Sequence, residues 1–566
     1  MMNAAHNTQA PAGKAVLRIE NLWVKITSKD DDSYAISDIS LSVHPGETVC
    51  LVGESGSGKS VTSLATMGLL ARDELHCSQG KIWLDDENLL EASSSRIRSL
   101  RASQMAMIFQ EPMTALNPVE RVGPQVEEVL KAHGVGNPSQ RKRQVLEMFE
   151  AVHLPDPQKI YTAYPHQLSG GQRQRIVISM ALILKPRLLI ADEPTTALDV
   201  TTQKQILALI RELQEKQNTA VLFITHDFGV VAEISDRIVV MNRGKMVETG
   251  TRDAILRNPA EAYTRMLVSS VPSLIPGQAR AVGSDPILHV EDLNKTYDEI
   301  HLFAPNRSVV AANNVSFTLN KGEIIGIVGE SGSGKSSVAR CIMRLIKPSS
   351  GLIQLGDSDL ATAKGEALRD LRQRLQIVFQ DPYRSLNPRL RIRDALLEGM
   401  ENYGISAAEC EKRIATLLDW VGMDKTALGR YPHQFSGGQR QRLCIARALA
   451  LEPDVLVADE AVSALDVSVQ SQVLKLLDDM RQRMGIAVLF ITHDLRVAAQ
   501  ICDQILVMQR GIVVEAGRAD EILVNPQHAY TQALIEAAPG RHWDFQNFRP
   551  VDAASSLSNP TESHYV

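Results

Sequence analysis

Two stretches of this chain carry residues whose types and spacing suit phosphate binding. Gly53-Glu54-Ser55-Gly56-Ser57-Gly58-Lys59-Ser60 recurs letter for letter as Gly329-Glu330-Ser331-Gly332-Ser333-Gly334-Lys335-Ser336. Each copy fits G-x-x-x-x-G-K-[ST], the loop that cradles nucleotide phosphates. Glycines lack a Cβ, so backbone N–H groups are free to turn inward around the β- and γ-phosphates. Lys59 and Lys335 would add a point charge, and the hydroxyls of Ser60 and Ser336 would hold Mg²⁺. Glycine-rich turns also arise for structural reasons alone, but two identical copies in matching contexts argue against chance.

A second pattern accompanies each loop. Four apolar residues followed by Asp-Glu occur at Leu188-Leu189-Ile190-Ala191-Asp192-Glu193 and at Val455-Leu456-Val457-Ala458-Asp459-Glu460. An acid at the carboxyl end of a buried parallel strand is placed to meet Mg²⁺ through its water shell, which assigns Asp192 and Asp459. The adjacent Glu193 and Glu460 would face the γ-phosphate and polarise an attacking water.

The elements that must position these residues follow from local patterning. Thr48-Val49-Cys50-Leu51-Val52 is a short apolar run of the buried parallel-strand type and leads straight into the first loop. Beyond Ser60, Val61, Leu64, Ala65 and Gly68 fall at helical spacing, giving strand–loop–helix. Val16 to Ile19 and Ile39 to Val43 alternate as strands do. From Ser93 to about Pro165 the pattern becomes charged and helical, as in Gln125 to Ala132 and Gln140 to Val152. Apolar strands then return at Leu188 to Ala191 and Val221 to Ile224. The fold class is therefore α/β: a mostly parallel sheet core with an inserted helical subdomain.

After Val271 the chain starts again. The two copies stand 276 residues apart at Lys59 and Lys335, 270 at Gln110 and Gln380, and 267 at Asp192 and Asp459. Rigid spacing around the core, with slack in loops and helical insert, indicates two whole domains in tandem. The division reads as a disordered leader over 1–15, domains over 16–270 and 287–540, a linker over 271–286 and a disordered tail over 541–566.

Composition narrows the function. The 566 residues carry 66 acidic and 60 basic side chains, a net charge of −6, which argues against a dedicated nucleic-acid surface. Six scattered cysteines form no C-x-x-C pair, so neither a disulfide framework nor a zinc site is expected. Neither a secretory signal nor a run of ~20 apolar residues is visible, which places the protein in the cytoplasm, with membrane association through a partner.

Further motifs resemble those of ABC-type ATPases. Leu168-Ser169-Gly170-Gly171-Gln172 and Phe435-Ser436-Gly437-Gly438-Gln439 look like the family's signature sequence, with Gly170 and Gly437 each 22 residues before the strand-end aspartate. Gln110 and Gln380 match the Q-loop glutamine, Ala197-Leu198-Asp199 and Ala464-Leu465-Asp466 the D-loop, and His226 and His493 the switch histidine. The resemblance spans roughly 16–270 and 287–538. It implies ATP and Mg²⁺, with Ser60, Gln110, Asp192, Ser336, Gln380 and Asp459 around the metal and with Glu193, Glu460, His226, His493 and both glutamines catalytic. It also implies head-to-tail domains, so that Lys59 pairs with Ser436 and Lys335 with Ser169. Each signature helix N-terminus then serves as an anion site.

A finer resemblance points to the peptide-importer ATPases, and among these to the fused glutathione-importer type. It rests on Glu111-Pro112-Met113-Thr114-Ala115-Leu116-Asn117-Pro118 and Asp381-Pro382-Tyr383-Arg384-Ser385-Leu386-Asn387-Pro388 after the Q-loop glutamines. It rests too on the domain ends Asn258-Pro259-Ala260-Glu261-Ala262-Tyr263-Thr264 and Asn525-Pro526-Gln527-His528-Ala529-Tyr530-Thr531. The implied partners are two transmembrane permease subunits and an extracytoplasmic solute-binding protein, with the chain peripheral on the cytoplasmic face of the inner membrane. Oligomeric state stays open.

Departures from the family pattern are informative. Tyr297 fits the adenine-stacking aromatic, whereas its counterpart is Ile26, and Tyr34 is no assured replacement. Ala461-Val462 stand where the first half has Pro194-Thr195. Both sites are expected to hydrolyse ATP, with unequal affinity. No cysteine follows Cys502, so the iron–sulfur cluster of some relatives is not expected. The alternative reading is a soluble tandem ABC ATPase acting on ribosomes or nucleic acid. That class joins its halves by a long basic linker, whereas this one is short and carries Arg280 and Asp285. Arg173-Gln174-Arg175 and Arg440-Gln441-Arg442 read as a solvated or salt-bridged helix face.

Overall fold

A computed structural model of the chain describes residues 13–27, 33–71, 73–110, 115–195, 198–277, 280, 283–299, 307–463 and 465–551. Glu111 to Thr114, the D-loop alanines Ala197 and Ala464, the leader up to residue 12 and residues 552–566 lie outside the described residues. The described residues fall into two compact units, the first within 13–198, 202–271 and 547–549 and the second within 199–201, 272–546 and 550–551.

In the first unit a six-stranded sheet runs in the order Lys245–Thr251, Arg237–Asn242, Thr48–Val52, Ala220–Ile224, Leu188–Asp192, Met105–Ile108. All neighbours are parallel except the outermost pair, Lys245–Thr251 on Arg237–Asn242. Val49 to Val52 and Ala220 to Ile224 are wholly buried, as continuous apolar strands covered on both faces must be. Asp192 therefore ends, and Glu193 follows, a strand that is separated from the loop-bearing strand by Ala220–Ile224 alone, at the same carboxyl edge.

A second sheet was less legible. Tyr34–Val43, Leu17–Ile26, Leu75–Leu84 and Glu87–Asn88 form a four-stranded antiparallel layer in that order. Its inward residues Ile19, Leu22, Ile36 and Ile39 share one core with Leu51, Ile190 and Leu222 of the parallel sheet. Burying each such side chain contributes about 1.5–3 kcal/mol, so this layer fixes the loop-bearing strand from one side.

The helical block comprises Val122–Ala132, Pro138–Ala151 and Pro157–Tyr161, then the signature helix Gly170–Leu182. Pro138–Ala151 starts at an Asn137–Gln140 capping box, two reciprocal hydrogen bonds that satisfy otherwise orphaned N–H groups.

The second unit repeats this plan. Its core sheet runs Leu375–Val378, Val455–Asp459, Ala487–Thr492, Ile324–Val328, Gln504–Gln509, Ile512–Arg518, with only the last pair antiparallel. Val290, Leu293, Ile327, Val457 and Leu489 join its antiparallel layer to that sheet.

Two sequence expectations change. The polar stretch from Arg541, read as disordered tail, has regular structure up to Pro550: Trp543–Asp544, a 3-10 turn Phe545–Asn547 and Arg549–Pro550. Phe545 is fully buried, which supplies the apolar anchor that the composition concealed. The signature-helix arginines are not a simply solvated face. Arg173 and Arg175 donate to the backbone carbonyls of Pro165 (2.7 Å) and Val152 (2.6 Å), and Arg440 is buried with its guanidinium 3.9 Å from the Tyr383 ring centroid. Guanidinium groups stack on aromatic faces and fork onto carbonyls, so a run of arginines need not face water.

Candidate functional site

In the first unit the loop leaves strand Thr48–Val52 at Gly53, whose φ is +151°, and enters helix Lys59–Met67. A Cβ on Gly53 would stand 2.2 Å from the Met241 carbonyl oxygen, so no other residue fits there. Lys59 Nζ donates to the carbonyls of Gly53 (2.7 Å) and Glu54 (2.8 Å) and lies 3.3 Å from Ser57 Oγ. The ammonium is thus buried inside its own loop.

Asp192 closes its strand against that loop. Ser60 Oγ lies 3.4 Å from Asp192 Oδ1, and Ser63 Oγ lies 3.4 Å from Oδ2. Burial pushes the Asp192 carboxyl above the usual range, the hydroxyls oppose this, and the Glu193 charge adds to the rise. A carboxylate destabilised by desolvation gains from a nearby cation.

Glu193 is held from two sides. Gln110 Nε2 donates to its Oε2 at 2.9 Å, and His226 Nδ1 lies 2.9 Å from its Oε1. Its backbone has φ +47°, a left-handed conformation that costs a non-glycine residue about 1–3 kcal/mol. The Glu193 N–H donates to the Ile224 carbonyl at 2.9 Å, which locks that turn onto the adjacent strand.

The second unit reproduces the site. Lys335 Nζ donates to Gly329 O (2.7 Å) and Glu330 O (2.8 Å), and Ser336 Oγ donates to Asp459 Oδ1 at 3.1 Å. Gln380 Nε2 donates to Glu460 Oε2 at 2.7 Å, and His493 Nδ1 lies 3.5 Å from Glu460 Oε1. Glu460 also has a left-handed backbone, φ +48°. Burial pushes the Glu460 carboxyl up, but the His493 hydrogen bond and charge, with Lys335, hold it below its ordinary value. Burial pushes the His493 imidazole down, and Glu460 outweighs it and raises it. Burial holds the Lys335 ammonium below its usual value against the pull of Glu460 and Asp459.

The signature serines cap their helices. Ser169 Oγ accepts from Gln172 N (3.3 Å) while Gln172 Oε1 accepts from Ser169 N (3.0 Å). Ser436 and Gln439 repeat this at 3.3 and 3.1 Å. A hydroxyl that accepts from the helix keeps its O–H for an anion in front of it. Gly171 and Gly438 admit the following helix: a Cβ would lie 2.6 Å from Thr202 Cγ2 and 2.3 Å from Val469 Cγ1, respectively.

Tyr297 lies beside the second loop, its hydroxyl 3.4 Å from Ser337 Oγ and its ring 4.8 Å from Lys295 Nζ. Ile26 occupies the corresponding edge of the first unit, and Tyr34 instead meets Trp23 edge to face with centroids 5.2 Å apart.

A family model for the ABC transporter matches residues 36–196 and 312–463, more than half of the chain. The chain belongs to the ABC transporter family. A second model, the C-terminal region of oligopeptide/dipeptide transporters, matches residues 247–295 and 514–550 of this ABC protein. The Glutathione import ATP-binding protein GsiA of Escherichia coli O157:H7 is 44% identical over 94% of this chain and 91% of its own length. The Peptidoglycan transport ATP-binding protein YejF of Agrobacterium fabrum is 44% identical over 92% and 96%. Among solved structures, CbiO1 of Clostridium perfringens is 30% identical over 43% of this chain and 92% of its own, with a TM-score of 0.37. The twice-matched family model and the relatives aligned over nearly the whole chain make this ABC protein an ATPase with two cassettes. No helix among its described residues is long and apolar enough to cross a membrane.

Sequence reasoning missed Ser63, whose counterpart in the second unit is Ala339, because a lone serine on a helix carries no signal. It also left without a role the tyrosines of the two domain ends. Tyr263 and Tyr530 hydrogen-bond to the phosphate loops, and only their recurrence in the repeated Asn-Pro tail marks them.

Proposed function

We propose that this chain is the ATP-hydrolysing subunit of an importer that carries peptides, with glutathione as the leading candidate, across the cytoplasmic membrane. The observation that carries the reading is the pairing of two full loop–Asp–Glu–Gln–His sets with a peptide-transporter C-terminal region in each half. The names of the relatives support the same direction and weigh against the ribosomal alternative. Its partners would be two transmembrane permease subunits and an extracytoplasmic solute-binding protein, with the chain held peripherally at the cytoplasmic face through the permease.

Mg²⁺ suits the donors present. Each site offers one serine hydroxyl and one carboxylate oxygen, and among the described residues no cluster of three or more His, Cys, Asp or Glu could hold a metal alone. Mg²⁺ takes one or two carboxylates and completes its shell with substrate phosphates and water. Ser60 with Asp192, and Ser336 with Asp459, would hold it, assisted by the amide oxygens of Gln110 and Gln380. When bound it supplies charge neutralisation to the β- and γ-phosphates.

The residues of the chain would do the rest. The loop N–H groups and Lys59 or Lys335 bind the phosphates; Lys59 Nζ, now on carbonyls of its own loop, exchanges those partners for phosphate oxygens. Glu193 or Glu460, fixed by Gln and His on opposite oxygens, accepts a hydrogen bond from the attacking water and aligns it with the γ-phosphorus. The histidine stabilises the carboxylate and senses the γ-phosphate. Ser169 and Ser436 supply further anion donors. Loss of the γ-phosphate removes these contacts, which releases the nucleotide-held state.

Purified chain reconstituted with its co-purifying membrane subunits should hydrolyse ATP faster when the solute-binding protein and glutathione or a short peptide are supplied. Stimulation by ribosomes, with no membrane subunit recovered, would sink the proposal.

A further inference from the structure

The two halves share a device at their C-terminal ends. The edge strands Lys245–Thr251 and Ile512–Arg518 each present a glutamate to the turn that follows. Glu248 accepts from the backbone N–H groups of Ala260 (2.7 Å) and Glu261 (3.1 Å). Glu515 accepts from those of Gln527 (2.7 Å) and His528 (3.2 Å). Both oxygens of one carboxylate thus fix the start of helices Ala262–Ser269 and Ala529–Ala537. A carboxylate at a helix start also complements the helix dipole.

The second residue of each helix is a tyrosine that reaches the phosphate loop. The Glu330 N–H donates to Tyr530 Oη at 3.1 Å. The Glu54 N–H donates to Tyr263 Oη at 3.5 Å, and the Tyr263 O–H in turn donates to Glu54 Oε2 at 3.3 Å. The carbonyls of those same residues, Glu54 and Glu330, accept from Lys59 and Lys335. Each tyrosine therefore grips the N–H side of a residue whose carbonyl holds the phosphate-binding lysine. Burial pushes the Tyr530 phenol up to about 12, so it stays a neutral O–H at any working pH.

We infer that Tyr263 and Tyr530 are positioning residues for ATP binding. They pin the second residue of each phosphate loop, and through them the C-terminal segment of each half sets the shape of the loop and hence its affinity for ATP. The inference rests on the reading that these loops bind the phosphates of ATP. Neither tyrosine needs to touch nucleotide. Chemistry at the γ-phosphate belongs to Glu193 and Glu460, so the tyrosines act on KM and leave kcat alone. The shorter bond at Tyr530 makes the second site the more dependent one.

The test is steady-state ATPase kinetics on the full chain with Tyr263→Phe/Tyr530→Phe, which keeps both rings and removes both hydroxyls. Loss of the phenol that accepts from the loop N–H at each site should raise KM for ATP about five-fold with kcat within about two-fold, and Tyr530→Phe, which removes the shorter of those bonds, should alone account for most of it. Unchanged KM in the folded double variant overturns the inference. If that variant does not fold, Glu248→Gln/Glu515→Gln decides: these loosen the turn behind the tyrosines, and KM must rise about two-fold in the same direction. Unchanged KM there is equally fatal. Lys59→Ala/Lys335→Ala is the control for the underlying reading. If it binds ATP normally the loops are not the phosphate sites, whereas lost binding in it with normal KM in the tyrosine variant defeats the tyrosine inference alone.

Discussion

Gln380 donates its side-chain amide to Glu460 across 2.7 Å, and Gln110 does the same to Glu193 across 2.9 Å. The glutamine follows one parallel strand and the glutamate the next, so the edge of the sheet sets the distance between them. This bond restrains the carboxylate that would align the attacking water.

Removing the restraint should slow turnover without unfolding the protein. Gln110→Ala/Gln380→Ala loses a hydrogen bond to a charged group, which predicts a fall in kcat of roughly ten-fold. ATPase rates at saturating MgATP check this; an unchanged kcat would show that the glutamine does not hold the carboxylate during reaction.

The Glu460–His493 pair should titrate as a unit. His493 is raised above 6.5, so the stability that its charge contributes is complete below 6.5 and is lost as pH rises through the folded pKa. Glu460 is depressed below 4.5, so its contribution is present above 4.5 and is lost as pH falls through its folded pKa. The pair is therefore charged on both sides between those two limits. An NMR titration of His493 should give a pKa above 6.5 in the wild type. In Glu460→Gln burial acts unopposed by that carboxylate, and the value should drop below the wild-type one.

How much of this was legible in the sequence depends on what each residue type is forced to do. Gly53 is legible because a Cβ would meet a carbonyl, and Asp192 because an acid ending an apolar strand has few other uses. The left-handed backbone at Glu193 and Glu460 is not, since glutamate has no preference for φ near +47° and tertiary bonds to Ile224 and Ile491 impose it. Arg440 misled for a similar reason: stacking on Tyr383 is a long-range fact that a local charge pattern does not carry. The Phe545 anchor was hidden because three aromatics, Trp543, Phe545 and Phe548, in one short polar stretch set up no sustained periodicity.

The two nucleotide sites should differ at adenine. Tyr297→Ala should weaken ATP binding at the second site by about 1 kcal/mol, the contribution of one stacked aromatic pair. Ile26→Tyr should strengthen the first site by a comparable amount. Titration with a fluorescent ATP analogue resolves two affinities, and the gap between them should narrow in both variants, through loss at the second site in Tyr297→Ala and gain at the first in Ile26→Tyr. Tyr297→Ala with both affinities unchanged contradicts the assignment.

A buried glutamine separates the halves in stability. Gln174 donates through Nε2 to the Pro194 carbonyl at 2.6 Å and leaves only its Oε1 without a partner, whereas Gln441, fully buried with Ala461 in place of that proline, has no hydrogen-bond partner for either amide atom among the described residues. An unsatisfied buried amide costs about 1–3 kcal/mol, so the near-isosteric Gln441→Met should raise the thermal midpoint and Gln174→Met should lower it. Thermal unfolding of the two variants checks the signs; a fall in both would mean that Gln441 finds a partner.

Everything proposed for the two sites turns on Glu193 and Glu460 orienting the water that attacks ATP. Single-turnover hydrolysis and equilibrium ATP binding in Glu193→Gln/Glu460→Gln test it most directly. Binding should persist, because the loops, the lysines and the Ser–Asp pairs are untouched, while hydrolysis should fall by about 10²-fold or more with loss of the general base. Hydrolysis at the wild-type rate in that variant would remove both glutamates from the reaction.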